Sequence, residues 1–280
     1  MVDFDDITLT GTQQTALATL YARAQESSAA NSILGDSAAI AAVDRLNYDF
    51  STLHTSRRDQ KTTAVRAKAF DSWARRFLAA EPTGVILNLG CGLDTRVYRV
   101  DPPATARWYD IDLPDVVALR QRLFPGRVGL HTIASSVTDP NLLSSIPGDV
   151  AVLVIAEGLT PYLPAAEGIS MLNRIVEHFP QGDLVFDGYS TLGVNITQRY
   201  GPVKSSGARL DWAINDPHEL EASVPGLQFI SESLIEDVPD VERHFSWSAR
   251  QAFRLISGVT PLRRLGRRLH YHFDHTEHQD

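Results

Sequence analysis

An α/β fold with a doubly wound, largely parallel sheet is what this sequence predicts, and three observations predict it. Short apolar runs alternate with helical stretches between residues 83 and 190, the signature of strand-helix-strand units in a parallel sheet. The run Val85–Leu89, rich in branched residues and suited to a strand buried on both faces, leads directly into Gly90-Cys91-Gly92. The next apolar run, from Trp108 to Ile111, is followed by Asp112, 20 residues after Gly92.

The elements follow in order. Residues 12–30 are alanine-rich, residues 37–46 follow a plausible Asp36 cap, and residues 61–80 carry Val65, Ala69, Trp73 and Phe77 at fourfold spacing. These predict a helical cap over residues 1–82 in front of a sheet domain over 83–280. Glu81-Pro82-Thr83-Gly84 breaks the chain before the first strand. After the second strand come a helix over 114–124, strands over 130–134 and 149–156, a helix over 167–179 and a fifth strand over 184–186. Residues 227–235 and 269–273 close the sheet as sixth and seventh strands, with a helix around 249–257 between them. Ligands of such folds bind beyond the carboxyl ends of the strands.

A glycine pair after a strand lets the chain turn without Cβ clashes, so that a ligand can touch the main chain. A carboxylate at the end of the second strand stands near the spacing at which it accepts both hydroxyls of a ribose. Each feature also has a plain structural reading, Gly90 and Gly92 as a tight turn and Asp112 as a cap before Leu113-Pro114. A dinucleotide fingerprint would place a third glycine where Thr95 stands, and Asp94 would repel a diphosphate. A ribose ligand without phosphates fits better, and S-adenosylmethionine is such a ligand.

At this point the residues carry a family resemblance. Val65-Arg66-Ala67-Lys68-Ala69-Phe70-Asp71, Asn88-Leu89-Gly90-Cys91-Gly92-Leu93-Asp94-Thr95-Arg96, Trp108-Tyr109-Asp110-Ile111-Asp112-Leu113-Pro114 and Ala156-Glu157-Gly158-Leu159-Thr160-Pro161-Tyr162-Leu163-Pro164 resemble the successive motifs of the leucine carboxyl methyltransferase family. They are most similar to its bacterial branch, the polyketide O-methyltransferases of the tetracenomycin type, over residues 25 to 190. The resemblance implies a class I methyltransferase fold, Rossmann-like, with a seven-stranded sheet, helices on both faces and a reversed edge strand.

It also implies roles. Arg66 would grip the methionine carboxylate of the cofactor, as a planar guanidinium does bidentately; the residue alone reads equally as a solvated arginine beside Lys61 and Lys68. Gly90, Cys91, Gly92, Asp112 and Leu113 would line the nucleoside pocket. Glu157, at the end of an apolar strand, would reach the methionyl end or ribose, since an uncommitted carboxylate is costly there unless a cation is near. Ser135, Ser136 and Val137 occupy the adenine position, where many relatives carry Asp-Leu; a hydroxyl serves the adenine amino group more weakly than a carboxylate, and Ser136 or Thr138 equally suits a turn. Tyr162 and Tyr189 are assigned to the substrate side, Tyr162 reading equally as core packing.

Composition narrows the classes. With 26 basic and 34 acidic side chains the net charge is −8, which disfavours broad binding to nucleic acid or anionic membrane and favours a small-molecule partner. Cys91 is the single cysteine and reads as a small residue in a tight turn. The acidic start (Asp3, Asp5, Asp6) does not resemble a leader, and residues 150–156 are too short an apolar run to span a bilayer, so cytoplasmic residence is expected. His270, His272, His275 and His278 offer no metal spacing and suit a frayed end, so no metal is expected. Arg250, Arg254, Arg263, Arg264, Arg267 and Arg268 read as a solvated helix face. Oligomeric state is not legible.

The expected function is O-methylation of a hydroxyl or carboxyl of a small, polyketide-like aromatic metabolite. Competing readings are a protein C-terminal carboxyl methyltransferase, a nicotinamide-dependent oxidoreductase and a non-catalytic cofactor-binding protein. No general base can be named from the sequence.

Overall fold

The computed structural model describes residues 2–3, 12–53, 55–199, 203–204, 207–234, 244 and 264–275. The expected helix around 249–257, Arg250, Arg254, Arg263 and His278 lie outside those residues, as do Asp5, Asp6 and Ile235.

The N-terminal part holds three helices, α1 (Thr12–Ser27), α2 (Ser37–Arg45) and α3 (Arg57–Ala80), and a two-residue pairing of β1 (Val2–Asp3) with β2 (Leu46–Asn47). Asp36 caps α2 by accepting the Ala39 N–H at 3.0 Å. Helix α3 starts four residues before its apolar spacing suggests, because Ser56 and Asp59 form a reciprocal capping box.

The sheet is built from β3 (Val85–Leu89), β4 (Arg107–Asp112), β5 (Leu130–Ala134), β6 (Val152–Ala156), β7 (Gln181–Gly188), β8 (Gln228–Ser233) and β9 (Arg267–Asp274). Their spatial order is β5-β4-β3-β6-β7-β9-β8. The first five are parallel, and β9 runs antiparallel to both β7 and β8, giving the reversed edge. The chain leaves β3 in one direction to β4 and later returns on its other side at β6, so the switch of winding falls between β3 and β6.

Side-chain alternation along the strands decides which helix covers which face. Leu87, Leu89, Ile111, Val154, Leu184 and Tyr271 face α6 (Ala165–His178) through Met171, Leu172 and Ile175. Ile86, Trp108, Leu153 and Val185 face the C-terminal half of α3 through Phe70, Ala74 and Phe77, with Val97 of α4 (Arg96–Val100). A third cluster joins α1 and α2 to α5 (Pro114–Leu123) through Leu17, Leu20, Ala39, Val116 and Leu119. Two further short helices, α7 (Thr191–Thr197) and α8 (Glu219–Ser223), follow β7. Among the described residues no helix is long and apolar enough to cross a membrane.

The C-terminal basic run departs from expectation. Arg267 and Arg268 are strand residues of β9, 3% and 5% exposed, rather than part of a solvated helix face. Arg267 Nη2 donates to the carbonyls of Ile214 and Asn215 at 3.1 Å, and its Nε lies 3.1 Å from Glu232. His270 and His272 fall on β9, as the expected strand over 269–273 has them: they share one face, and both contact Asp183 Oδ1 across the ladder, at 2.7 and 3.2 Å, so the frayed end does not reach them. Among the described residues no group of His, Cys, Asp and Glu is placed to hold a metal ion.

Gly168 of α6 passes so close to the Trp212 indole that an added Cβ would come within 2.0 Å of its ring. Alanine favours a helix by about 1 kcal/mol over glycine, but overpacking costs about 1–3 kcal/mol or more. With the added Cβ so deep in the ring the upper end of that cost applies, and Gly168→Ala is expected to lower the unfolding midpoint in urea by a net of about 2 kcal/mol of stability; an unchanged or raised midpoint would contradict this packing.

Candidate active site

The carboxyl ends of β3 to β7 open into one cavity of about 1090 Å³. Arg66, Gly90, Cys91, Gly92, Asp112, Leu113, Ser135, Ser136, Val137, Glu157, Tyr162 and Tyr189, dispersed over more than a hundred positions of sequence, all line it. The opposite wall is supplied by α1 (Thr15, Ala18, Thr19) and the first turns of α3 (Arg58, Thr62, Thr63).

The glycine turn fits a ligand in contact with main chain. Gly90 and Gly92 have φ of +60° and +50°, and a Cβ on Gly90 would meet Leu159 Cδ1 at 2.8 Å. Cys91 between them is 4% exposed; burial pushes its thiol well above the usual range, so it stays neutral and unreactive. Asp112 reaches across: its Oδ2 accepts the Gly92 N–H and its Oδ1 the Leu113 N–H, both at 2.7 Å. Those bonds fix the carboxylate beside the turn while each oxygen keeps a further lone pair for a diol. Burial raises the Asp112 pKa more than the two backbone donors lower it.

The other acid of the same strand holds the turn from beneath. Asp110 accepts from Asn88 Nδ2 at 2.8 Å and Trp108 Nε1 at 2.9 Å, and pairs with Arg120 of α5. Arg120 Nη1 then donates to the carbonyls of Gly92 and Asp94 at 3.0 and 2.6 Å. The loop is thus bound on one side by Asp112 and on the other by Arg120.

At the opposite end of the cavity the charges are paired. Arg66 Nε donates to Glu157 Oε1 at 2.9 Å, and its Nη1 lies 3.7 Å from Asp187 Oδ2. Arg96 Nη2 binds the second oxygen of Glu157. Glu157 is therefore committed to two arginines, partners that the sequence, which suggests a sulfonium or ammonium, does not name. Burial opposes ionisation of Glu157, but Arg66 and Arg96 outweigh it and hold the carboxyl below its ordinary range. Burial likewise disfavours charge on Arg66, yet Glu157 and Asp187 keep it ionised. Asp187, whose Oδ2 accepts the Gly158 N–H at 2.7 Å, is pushed up by burial despite Arg66.

Asp94 does not present the bare charge that its position in the motif suggested. Its Oδ2 lies 2.7 Å from Arg96 Nη1 and its Oδ1 3.2 Å from Arg99 Nη2, and the arginines hold it ionised against burial. The repulsion argued against a diphosphate is accordingly weakened. Thr95, where a dinucleotide site has its third glycine, is fully buried and bonded to Asp36, so the helix begins on packed side chains there.

At the end of the cavity beyond β5, Val137 packs into the core while lining the cavity. Ser136 Oγ bonds Thr138 Oγ1 at 2.9 Å and accepts the Thr138 N–H at 3.2 Å, so the turn reading of Ser136 holds alongside its place on the wall. On the other side Tyr162 packs against Val203 and Leu210, and burial raises its pKa. Burial and then Asp187 push Tyr189 up to about 12, which keeps its hydroxyl a donor.

Arg96, Arg120 and Asp187 were not among the residues singled out from the sequence. Asp187 carried the same signal as Glu157, a carboxylate closing a buried strand. Arg96 and Arg120 gave none, because their partners come from distant segments.

Residues 15–131 match the family described as Leucine carboxyl methyltransferase. The Tetracenomycin polyketide synthesis O-methyltransferase TcmP of Streptomyces glaucescens is 42% identical over 235 residues, covering 84% of this chain and 87% of that protein. The S-adenosyl-L-methionine-dependent methyltransferase dpfgK of Gibberella zeae is 31% identical over 295 residues, covering 97% of this chain and 98% of its own length. Among solved structures, a provisionally named methyltransferase from Thermobifida fusca YX superposes with a TM-score of 0.56 at 17% identity, covering 90% of this chain and 94% of that one, a likeness of fold.

The ionised state of Glu157 and Asp94 sets an acid limit. Both are depressed in the folded state, so their stabilisation is complete above the unfolded carboxylate values of about 4 and is lost as pH falls through the folded ones. Urea midpoints are expected to decline below about pH 4, and Glu157→Gln to flatten that decline. An equally steep acid limb in Glu157→Gln would show that its charge is not depressed.

Proposed function

The chain belongs to the leucine carboxyl methyltransferase family and is an S-adenosylmethionine-dependent methyltransferase, and from that premise we propose that it methylates an oxygen of a small, polyketide-like aromatic acceptor held under the N-terminal helices. The observation that carries the reading is the convergence of the twelve named residues on one cavity. Its volume of about 1090 Å³ lies just above the range of about 300–1,000 Å³ usual for small-molecule sites, room for donor and acceptor together.

The residues present fit the cofactor. The glycine turn on the cavity wall borders the nucleoside, Asp112 offers a carboxylate to the ribose hydroxyls, and Ser135, Ser136 and Val137 border the adenine. Arg66 takes the methionyl carboxylate and Glu157 borders the amino-acid end. Bound there, S-adenosylmethionine supplies a methyl group already activated by its sulfonium. What remains for the protein is placement: to hold the acceptor oxygen about 3 Å from the reacting carbon, in line, and away from water.

Tyr162 and Tyr189 border the acceptor half, with α1 and the start of α3 opposite. Residues 1–82 act in this reading as the cap that shapes the acceptor chamber, and 83–280 as the cofactor domain. The carboxylates of the cavity wall are engaged: Asp112 by backbone N–H groups, Glu157 and Asp94 by arginines, Asp59 by its capping box. An acceptor oxygen that ionises on its own, a carboxylate or an acidic phenol, suits such a wall best. The crossing of α1 over the cavity favours a small molecule over a protein C-terminus. Net charge −8 accords with work on such a solute rather than on nucleic acid.

Calorimetric titration with S-adenosylhomocysteine, methylthioadenosine and NAD tests the cofactor assignment. Asp112→Ala is expected to cost about 1.5–3 kcal/mol of affinity for both nucleosides, and Arg66→Ala to weaken only the ligand bearing a carboxylate. NAD binding without S-adenosylhomocysteine binding, or equal losses in Arg66→Ala, would contradict it. Transfer of labelled methyl to aromatic carboxylates and acidic phenols is the expected activity; transfer to peptide C-termini alone would refute the acceptor class.

A further inference from the structure

Asp71 lies on α3 on the side turned to the sheet, 2% exposed, and it does not border the cavity. Its Oδ1 accepts from Arg96 Nε at 3.0 Å and Arg99 Nη2 at 2.9 Å, and its Oδ2 from Arg99 Nε at 2.8 Å. The guanidinium of Arg96 is thereby held at one edge by Asp71, flanked by Asp94, and left with Nη2 to bind Glu157. A guanidinium is a rigid planar fork, so fixing one edge fixes where the other points.

We propose that Asp71 is a positioning residue for the cofactor: it orients Arg96, and Arg96 with Arg66 orients the Glu157 carboxylate toward the cofactor's amino-acid end. The proposal rests on the reading that Glu157 borders that end. Removing the Asp71 charge frees the Nε edge of Arg96, lets the fork turn toward Asp94, and releases one oxygen of Glu157. Asp36 supplies the internal comparison. It is as deeply buried and pairs with Arg99 at 2.7 Å and with Arg23 at 3.5 Å, but not with Arg96.

Calorimetry on the full chain, with S-adenosylhomocysteine and with methylthioadenosine, which lacks the amino-acid end, reads both dissociation constant and binding stoichiometry. Asp71→Asn is expected to weaken S-adenosylhomocysteine about tenfold while methylthioadenosine changes less than about twofold and stoichiometry holds. Asp36→Asn is expected to lower the Tm, and any loss of affinity it brings to be equal for the two ligands within about twofold. A fall in stoichiometry alone, an equal loss for both ligands, or the same selective loss in Asp36→Asn would overturn the proposal. Glu157→Gln separates it from its premise: unchanged S-adenosylhomocysteine affinity there removes the reading of Glu157. A selective loss in Glu157→Gln without one in Asp71→Asn removes only the role of Asp71. Should Asp71→Asn not fold, Arg96→Lys, which keeps the charge but not the fork, is expected to show the same selective loss, and an unchanged constant would overturn the proposal.

Discussion

The cavity depends on a buried set of paired charges that ties the helices at the N-terminus to the ends of the strands. Arg23 of α1, Asp36 at the start of α2, Asp71 of α3, Arg96 and Arg99 of α4, Asp94 of the glycine loop and Glu157 after β6 contact one another in succession. Taking such groups out of water is costly, and their mutual attraction offsets that cost only when each is paired with good geometry. The arrangement therefore tolerates one disposition of α1 to α4 over the sheet, and that disposition leaves the cavity between them.

Two devices then fix the glycine turn inside that frame. Asp112 binds its N–H side and Arg120, held by Asp110, binds its carbonyl side. The two acids of the Trp-Tyr-Asp-Ile-Asp segment, alike in sequence and on the same face of the strand, thus divide the work by their position along it: Asp110, within the strand, lies in the packed layer, and Asp112 at the strand's end meets the cavity. Asp187, next to the end of β7, holds the Gly158 N–H of the turn after Glu157 while facing Arg66. One end of the cavity accordingly presents the glycine turn with the Asp112 carboxylate, and the other paired opposite charges. The tyrosines and the N-terminal helices enclose the remaining space.

Much of this was legible in sequence where the signal is local. Val85–Leu89 and Leu130–Ala134 form strands with the expected bounds, the first because a buried apolar run ahead of a glycine turn leaves little choice. The Asp36 cap, the glycine turn and Asp112 are likewise short-range features. Arg66 and Glu157, assigned through the family resemblance, do meet in the cavity. What escaped was long-range pairing. Arg96, Arg99 and Arg120 look like solvated residues until Asp71, Asp36 and Asp110 are brought to them. Arg267 and Arg268 sat in a basic run whose partners, Glu232 and the carbonyls of residues 214, 215 and 234, lie on other segments. Asp94 seemed a repelling charge for a different, local reason: its partners Arg96 and Arg99 belong to a short helix the apolar pattern did not reveal.

The most direct measurement is a crystal structure of the chain with S-adenosylhomocysteine. The account predicts both ribose hydroxyls within about 3 Å of the Asp112 carboxylate, by ordinary hydrogen-bond geometry, and the amino-acid end between Arg66 and Glu157. A nucleoside bound elsewhere, or bound in the cavity with its ribose away from Asp112, would contradict it.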